Sequence, residues 1–281
     1  MTRGSRRLTR IATSALLAVI AFIFAFPLFY LIATSLKTKA DLFAPVPSLF
    51  PPAPTIEPYV SVLFTRGFDG LLVNSIIVGL SATILAIAIA FAICYPITRL
   101  PAPPRLRTFV LNWALSLRFL PPVAVVIPYF AIVRTIGLYN QLPALILVYT
   151  IFNLPLAIWM LRGFLDEIPI EIEEAAMVDG ASRWYAFRAI LLPLSRTGIL
   201  AVVIIVFAFD WAEFLFAFIL TATPQAMTFP VGVQGLVTQF EIIWNDMAAG
   251  GVIAIVVPLT LMLVARRHVM AGLTFGVIRE K

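Results

Sequence analysis

The sequence predicts an all-α membrane protein built from six transmembrane helices. Three observations carry that prediction. Of 281 residues, 62% are hydrophobic and only 12% charged, a balance foreign to water-soluble domains. The apolar residues fall into six runs, roughly 11–36, 71–98, 108–133, 142–162, 197–221 and 248–265, each near or above the ~20 residues that a helix needs to cross a bilayer. The basic residues between the runs crowd onto alternate loops, as orientation in a membrane requires. No period-two alternation is sustained over about 10 residues, which speaks against a β-barrel.

The first run follows Arg3, Arg6, Arg7 and Arg10. It is too long for a signal peptide and has no small-x-small cleavage site after it, so it reads as a retained first helix. The next segment, Lys37 to Gly70, carries Pro45, Pro47, Pro51, Pro52, Pro54 and Pro58. That density forbids a long helix and predicts an extended strap across the outer face. The second run contains Cys94, the single cysteine, which has no partner for an internal disulfide and suits a small buried apolar site. Pro101, Pro103 and Pro104 between Arg99 and Arg107 predict a short cytoplasmic turn.

In the third run, Arg118 precedes Pro121, Pro122 and Pro128. The proline pair removes two backbone donors and predicts a broken helix, whose freed carbonyls must face protein or a water-filled cavity. Asn153 ahead of Pro155 predicts a second break in the fourth run. The fifth run holds Asp210, Trp211, Glu213 and Phe214. An Asp at the centre of a membrane helix costs about 2.5–3.5 kcal/mol, so these acids are expected to face an aqueous path or a cation. Arg118 is the one cation within a run and a candidate partner. The translocation-pathway candidates are therefore Arg118, Asn153, Asp210, Trp211, Glu213 and Phe214, against the plainer reading of an ion pair or a boundary anchor. Aromatics here suit stacking on sugar rings, but equally ordinary packing.

The net charge of +6 is a topology signal and not a nucleic-acid footprint. With loops assigned alternately, one side holds Arg3, Arg6, Arg7, Arg10, Arg99, Arg105, Arg107, Arg162, Arg183, Arg188, Arg196, Arg266, Arg267, Arg279 and Lys281. The other holds only Lys37, Lys39, Arg66 and Arg134. Both termini are thus expected in the cytoplasm, and no nucleic-acid partner is expected.

The loop at about 163–195 is charged in both signs. Pro169 suits a first helical turn, Glu171, Glu173 and Glu174 favour a helix N-terminus, and Gly180 sits where a left-handed end is wanted. Ser182 can cap a second short helix carrying Arg183 and Arg188, ended by Pro193. The product is a helix–turn–helix knob, and the small Ala175 and Ala176 beside its turn suit close docking.

Glu174-Ala175-Ala176, three residues, Gly180, nine residues, then Ile190-x-Leu192-Pro193 meets every fixed position of the EAA loop it resembles, that of membrane permease subunits of ATP-binding-cassette (ABC) importers. Leu117-Arg118-Phe119-Leu120-Pro121-Pro122, Tyr149 to Pro155, Trp159 to Phe164 and Ala271-Gly272-Leu273-Thr274 look like carbohydrate-uptake permeases, the second membrane subunits of maltose-, trehalose-, polyol- and glycerol-phosphate-type systems. Ala212 departs from that pattern, where a polar residue is common. The resemblance implies a type I importer transmembrane-domain fold, one domain over 1–281 with a peripheral first helix (about 11–36) and a core (about 71–265). It implies a homologous permease partner, two ATPase subunits carrying ATP and Mg, an extracytoplasmic solute-binding protein meeting the outer loops (Thr221 to Asp246 above all), and a bacterial or archaeal plasma membrane. It implies coupling to the ATPase through Glu173, Glu174, Ala175, Ala176, Asp179, Gly180 and Arg183.

No G-x-x-x-x-G-K-[ST] occurs, so no phosphate-binding loop for ATP is expected on this chain. With one histidine, His268, and one cysteine, neither a zinc site nor a nucleophilic triad has its parts; no metal or cofactor is expected, and no catalysis. A stand-alone secondary carrier would show related halves with paired broken helices, and no internal repeat is visible. A membrane enzyme would need clustered catalytic groups, and only Asp210 and Glu213 come near. A non-transport scaffold has no use for a coupling loop.

Overall fold

A computed structural model describes residues 3–46, 48–238 and 241–275. Pro47, Arg279 and Lys281 lie outside the described residues, as do the side chains of Arg3, Arg6, Arg7, Arg10, Arg266, Arg267, His268 and Ala271 to Thr274. The helices are α1 (Arg3–Ser35), α2 (Lys39–Leu42), α3 (Glu57–Val60), α4 (Phe68–Arg99), α5 (Pro104–Arg118), α6 (Pro122–Thr135) and α7 (Leu142–Asp166). There follow α8 (Glu171–Val178), α9 (Arg183–Tyr185), α10 (Leu192–Ala212), α11 (Leu215–Leu220), α12 (Phe229–Gln234) and α13 (Trp244–Phe275). Two π-helical turns, Ser61–Thr65 and Ala186–Leu191, complete the regular structure of the described residues. Among the described residues there is no sheet, only an isolated antiparallel bridge between Val237 and Ile242.

Among the described residues, five helical stretches are long and apolar enough to cross a membrane: Ala12–Ser35, Phe68–Arg99, Leu142–Asp166, Arg183–Ala212 and Trp244–Val264. The α5–α6 pair makes a sixth if counted as one span, and it is bent by 98° at its break. That break falls at the Pro121-Pro122 pair, where the missing donors put it.

The chain forms two compact units, Met1–Asp69 with Val233–Ile255, and Gly70–Gly232 with Val256–Lys281. In the first, α1 leaves its side chains exposed from Ala12 through Tyr30 and becomes buried only at Ala33, Thr34 and Ser35. The proline-rich strap folds back on that end. Thr55 N–H donates to Leu36 O at 3.0 Å, Ser35 Oγ and the Tyr59 hydroxyl lie 2.7 Å apart, and buried Lys37 donates to Ser48 O. The strap holds no long helix; α2, with its Thr38–Asp41 capping box, and α3 are single turns. Asp246 in the first turn of α13 accepts from Ser61 Oγ at 2.8 Å and Arg66 Nε at 2.9 Å.

The second unit is organised around α7. One apolar cluster joins Ile87, Phe91 and Cys94 of α4, Ala114 of α5, Ile158, Leu161 and Leu165 of α7 and Val202 and Val206 of α10. A second joins Val78 and Ala82 of α4, Val126 and Val133 of α6, Leu145, Val148 and Tyr149 of α7 and Phe216 and Leu220 of α11. Helices approach closely where glycine permits: a Cβ on Gly198 of α10 would lie 2.5 Å from Phe164 Cγ of α7. Asn140, at φ 62° the one described non-glycine residue in left-handed backbone, clamps the end of α11. Its N–H donates to Leu220 O at 3.0 Å, and its Oδ1 accepts from Ala222 N and Thr223 N at 2.8 and 3.0 Å.

Three sequence expectations are corrected. Pro155 does not break α7, which runs unbroken from Leu142 to Asp166; Asn153, Pro155 and Ala157 are all buried, and a proline is tolerated in a membrane helix where neighbours pack around it. Pro193 does not end the second arm of the loop. The wide π turn Ala186–Leu191 immediately precedes it and the helix continues into α10, the wider turn accommodating a proline inside the continuous helix. The fifth run is not one helix either, because α10 stops at Ala212 and α11 begins at Leu215.

Candidate functional site

The loop between α7 and α10 folds as the expected knob. Its first arm, α8, begins just after Pro169, with Glu171, Glu173 and Glu174 in its first turn. Its end is a Schellman closure: Ala181 N–H donates to Ala176 O at 2.9 Å and Gly180 N–H to Met177 O at 3.1 Å. Gly180 has φ +92°, and open space surrounds the place of its missing Cβ. Glycine is therefore there for backbone conformation alone, since a side chain is penalised in that region. Ser182 Oγ then accepts from Tyr185 N–H at 3.2 Å, capping the second arm.

The predicted coupling residues divide by direction. Glu174, Ala175, Asp179, Gly180 and Arg183 are exposed, and Ala176 is half-buried. Val178 is 87% exposed, and Ile172, Trp184 and Tyr185 also stand exposed, a presented apolar and acidic surface. Glu173 points the other way. It is only 4% exposed, and its Oε1 lies 3.1 Å from Arg99 Nε, a buried ion pair. Burial pushes its carboxyl up from the ordinary 4.5, while the guanidinium groups of Arg99 and Arg183 pull it down. A cleft of about 300 Å³ opens here, bounded by Tyr95, Thr98, Arg99, Glu173, Glu174 and Arg183.

The intramembrane candidates are only partly brought together. Asp210, 4% exposed, accepts from Asn153 Nδ2 at 2.6 Å and from Thr83 Oγ1 at 2.9 Å. Thr83 and Asn153 sit near the middle of α4 and α7, so the acid is held at mid-depth of its neighbours. Among the described residues its hydrogen-bond partners are these two neutral donors and not Arg118. Arg118 lies instead over the Phe209 ring, 4.8 Å from its centroid, a cation–π contact. Glu213 Oε1 and Oε2 accept from Phe216 N and Ala217 N at 2.9 and 3.2 Å, so this acid caps α11 at the helix break. Trp211 is buried against Phe207, and Phe214 stacks on Phe218. Among the described residues no cluster of three metal-ligating side chains occurs.

Sequence reasoning missed Arg99, which counted there only as a topology charge, and Thr83. Arg99 joins residues 66 and 69 positions away, and nothing local marks that. A signal for Thr83 existed: a hydroxyl in the middle of a membrane helix seeks a partner.

The chain is 34% identical over 255 residues to the trehalose transport system permease protein SugB of Mycobacterium tuberculosis, covering 90% of this chain and 92% of that protein. It is 34% identical to the sulfoquinovosyl glycerol transport system permease protein SmoH of Agrobacterium fabrum, covering 89% of this chain and 87% of that one. Its fold matches a subunit of a bacterial ABC transporter that imports the polysaccharide alginate, with TM-score 0.75 at 18% identity, over 95% of this chain and 98% of that one. Residues 82–273, which contain the knob, the buried acid and the broken α5–α6 pair, match the model of one family. The chain belongs to the binding-protein-dependent transport system inner membrane components.

Proposed function

We propose that this chain is one of two homologous permease subunits in an ATP-driven importer of a sugar or sugar-like solute, and that its knob is the surface on which an ATPase subunit docks. The observation that carries the reading is the knob itself. A short helix closed by a left-handed glycine presents Glu174, Asp179 and the apolar Val178 outward, with a capped second arm beside it. ATP and Mg belong to the two partner ATPases. The knob and both termini lie in the cytoplasm, in keeping with the fifteen-to-four basic bias. The carbohydrate class is supported by relatives whose names carry trehalose, sulfoquinovosyl glycerol and diacetylchitobiose. A stand-alone carrier is not favoured, since members of the family are components of binding-protein-dependent systems.

In this reading ATPase closure moves the knob, and the knob moves the spans of the second unit, exposing the solute path alternately to either side. Gly180→Asp forces a side chain and a charge into the turn, and Glu174→Lys reverses charge on the presented face. Both variants are expected to insert in the membrane yet abolish uptake, with ATPase subunits lost on purification or hydrolysing without response to loaded binding protein. Wild-type uptake and wild-type stimulation in both would remove the knob from the coupling role. A ligand screen on the cognate binding protein identifies the solute.

A further inference from the structure

Both arms of the knob are fastened to one stripe of α4. Phe187 in the π turn packs edge-on against Phe91 and Tyr95, with ring centroids 5.7 and 5.0 Å away, and Trp184 stacks on Phe187 at 5.3 Å. The first arm is held by Arg99, the last residue of α4. Its side chain is 5% exposed. Nη2 donates to Leu165 O at 2.6 Å and to Ile168 O at 2.9 Å, while Nε faces Glu173 Oε1 at 3.1 Å. One guanidinium therefore ties three elements: the end of α4, the last turn of α7 with the link after it, and α8. Phe91, Tyr95 and Arg99 stand four residues apart, as do Ile87 and Thr83 before them, so all five lie on one ridge of the helix. That ridge ends at mid-depth on the Asp210 cluster.

The remaining ion pairs at this end do not reach the knob. Asp166 pairs with Arg107 of α5 and with Arg162 of its own helix at 3.1 and 3.0 Å, which joins α5 to α7 only. Among the described ion pairs, Arg99–Glu173 alone connects a span to α8.

We propose that Arg99 is a positioning residue for coupling: with Glu173 it makes a rigid strut that turns displacement of the knob into displacement of α4. The proposal rests on the knob being the ATPase-docking surface. A flexible tether would let α8 shift while α4 stayed still. Arg99 limits that freedom, because Nη2 is bonded to two carbonyls and the buried guanidinium and carboxylate lie 3.1 Å apart as a charge pair, with no hydrogen bond between Nε and Oε1.

A structural role and a strut role are separable, because loss of stability lowers the thermal midpoint and the ATPase retained, whereas loss of the strut lowers the solute imported per ATP in complexes that stay assembled. The test uses the whole complex, reconstituted in proteoliposomes with its binding protein. It reads the thermal midpoint, the ATPase retained on purification and the solute imported per ATP. Arg99→Met/Glu173→Leu leaves the Leu165 and Ile168 carbonyls without their donor, so it is expected to melt below wild type but to keep its ATPase bound, while solute per ATP falls about tenfold, within the usual range of a coupling energy. Arg99→Lys keeps the charge but not the fork, and is expected to assemble with an intermediate loss. Wild-type solute per ATP in the double variant or in Arg99→Lys overturns the strut. If the double variant fails to assemble, Arg99→Lys decides by the same criterion. Gly180→Asp is measured alongside. Should it too couple normally, the docking reading itself falls; should it uncouple while the Arg99 variants do not, only the strut falls.

Discussion

Gly180→Ala is the cleanest perturbation of the knob, because the structure separates its possible effects. Nothing lies within 4 Å of an added Cβ, so no clash contributes and the cost is that of holding an L-residue at φ +92°, about 1–2 kcal/mol. The helix it closes has only eight residues, far below the length at which a helix persists alone, so the Schellman closure is a substantial part of its stability. A loss of that size lowers the ratio of native to opened turn by roughly 5–30-fold. Asparagine tolerates the left-handed region better than alanine. Initial uptake rates, normalised to the amount of subunit in the membrane, are therefore expected to fall in the order Gly180, Gly180→Asn, Gly180→Ala. Stimulated ATPase activity in proteoliposomes should follow the same order. Alanine equal to glycine, or asparagine worse than alanine, would refute the argument, because it would show that backbone strain at this turn does not govern coupling.

Other outcomes follow from the packing and the charges. Asp210→Leu strands the Asn153 amide in a buried site, and an unsatisfied buried donor costs about 1–3 kcal/mol; a lowered thermal midpoint of the detergent-solubilised subunit checks this, and Asp210→Asn should lose less. Gly198→Ala drives a methyl to 2.5 Å from Phe164 Cγ. Overpacking of that kind costs about 1–3 kcal/mol, and Phe164→Leu in the same chain should recover part of the midpoint. For orientation, a cysteine at Ala181 should be labelled only from the cytoplasm and one at Ala53 only from outside, with Cys94, which is buried, staying silent; reversed labelling would invert the assigned topology.

The knob was legible in the sequence because it is local. Its caps, its glycine and its acidic first turn all lie within a few residues of one another, and each has a conformational reason. The α5–α6 break was legible for the same cause, since two prolines in succession leave a helix no donors. Pro155 and Pro193 misled because their outcome is set by surroundings: α7 is packed on several sides, and a π turn absorbs the strain before Pro193. The Asp210 cluster was legible in half. The cost of an intramembrane acid announces that it needs partners, but the partners are 127 and 57 residues away, and an arginine seemed the obvious one. Arg99 was invisible because a basic residue at a membrane helix end is ordinary, and only the fold shows that this one turns inward.

The Asp210 cluster also imposes an order on biogenesis. Thr83 and Asn153 precede Asp210 in the chain, and Asp210 carries a carboxyl group that costs free energy in the bilayer until it has partners. Its acceptance depends on α4 and α7 already standing side by side with both donors in place. The fifth span then acts as a latch that closes only on a correctly paired core. A nascent chain whose earlier helices have not met should leave α10 poorly inserted and within reach of membrane quality control. A lowered yield of inserted α10 in Thr83→Val/Asn153→Leu chains would be the sign of that dependence.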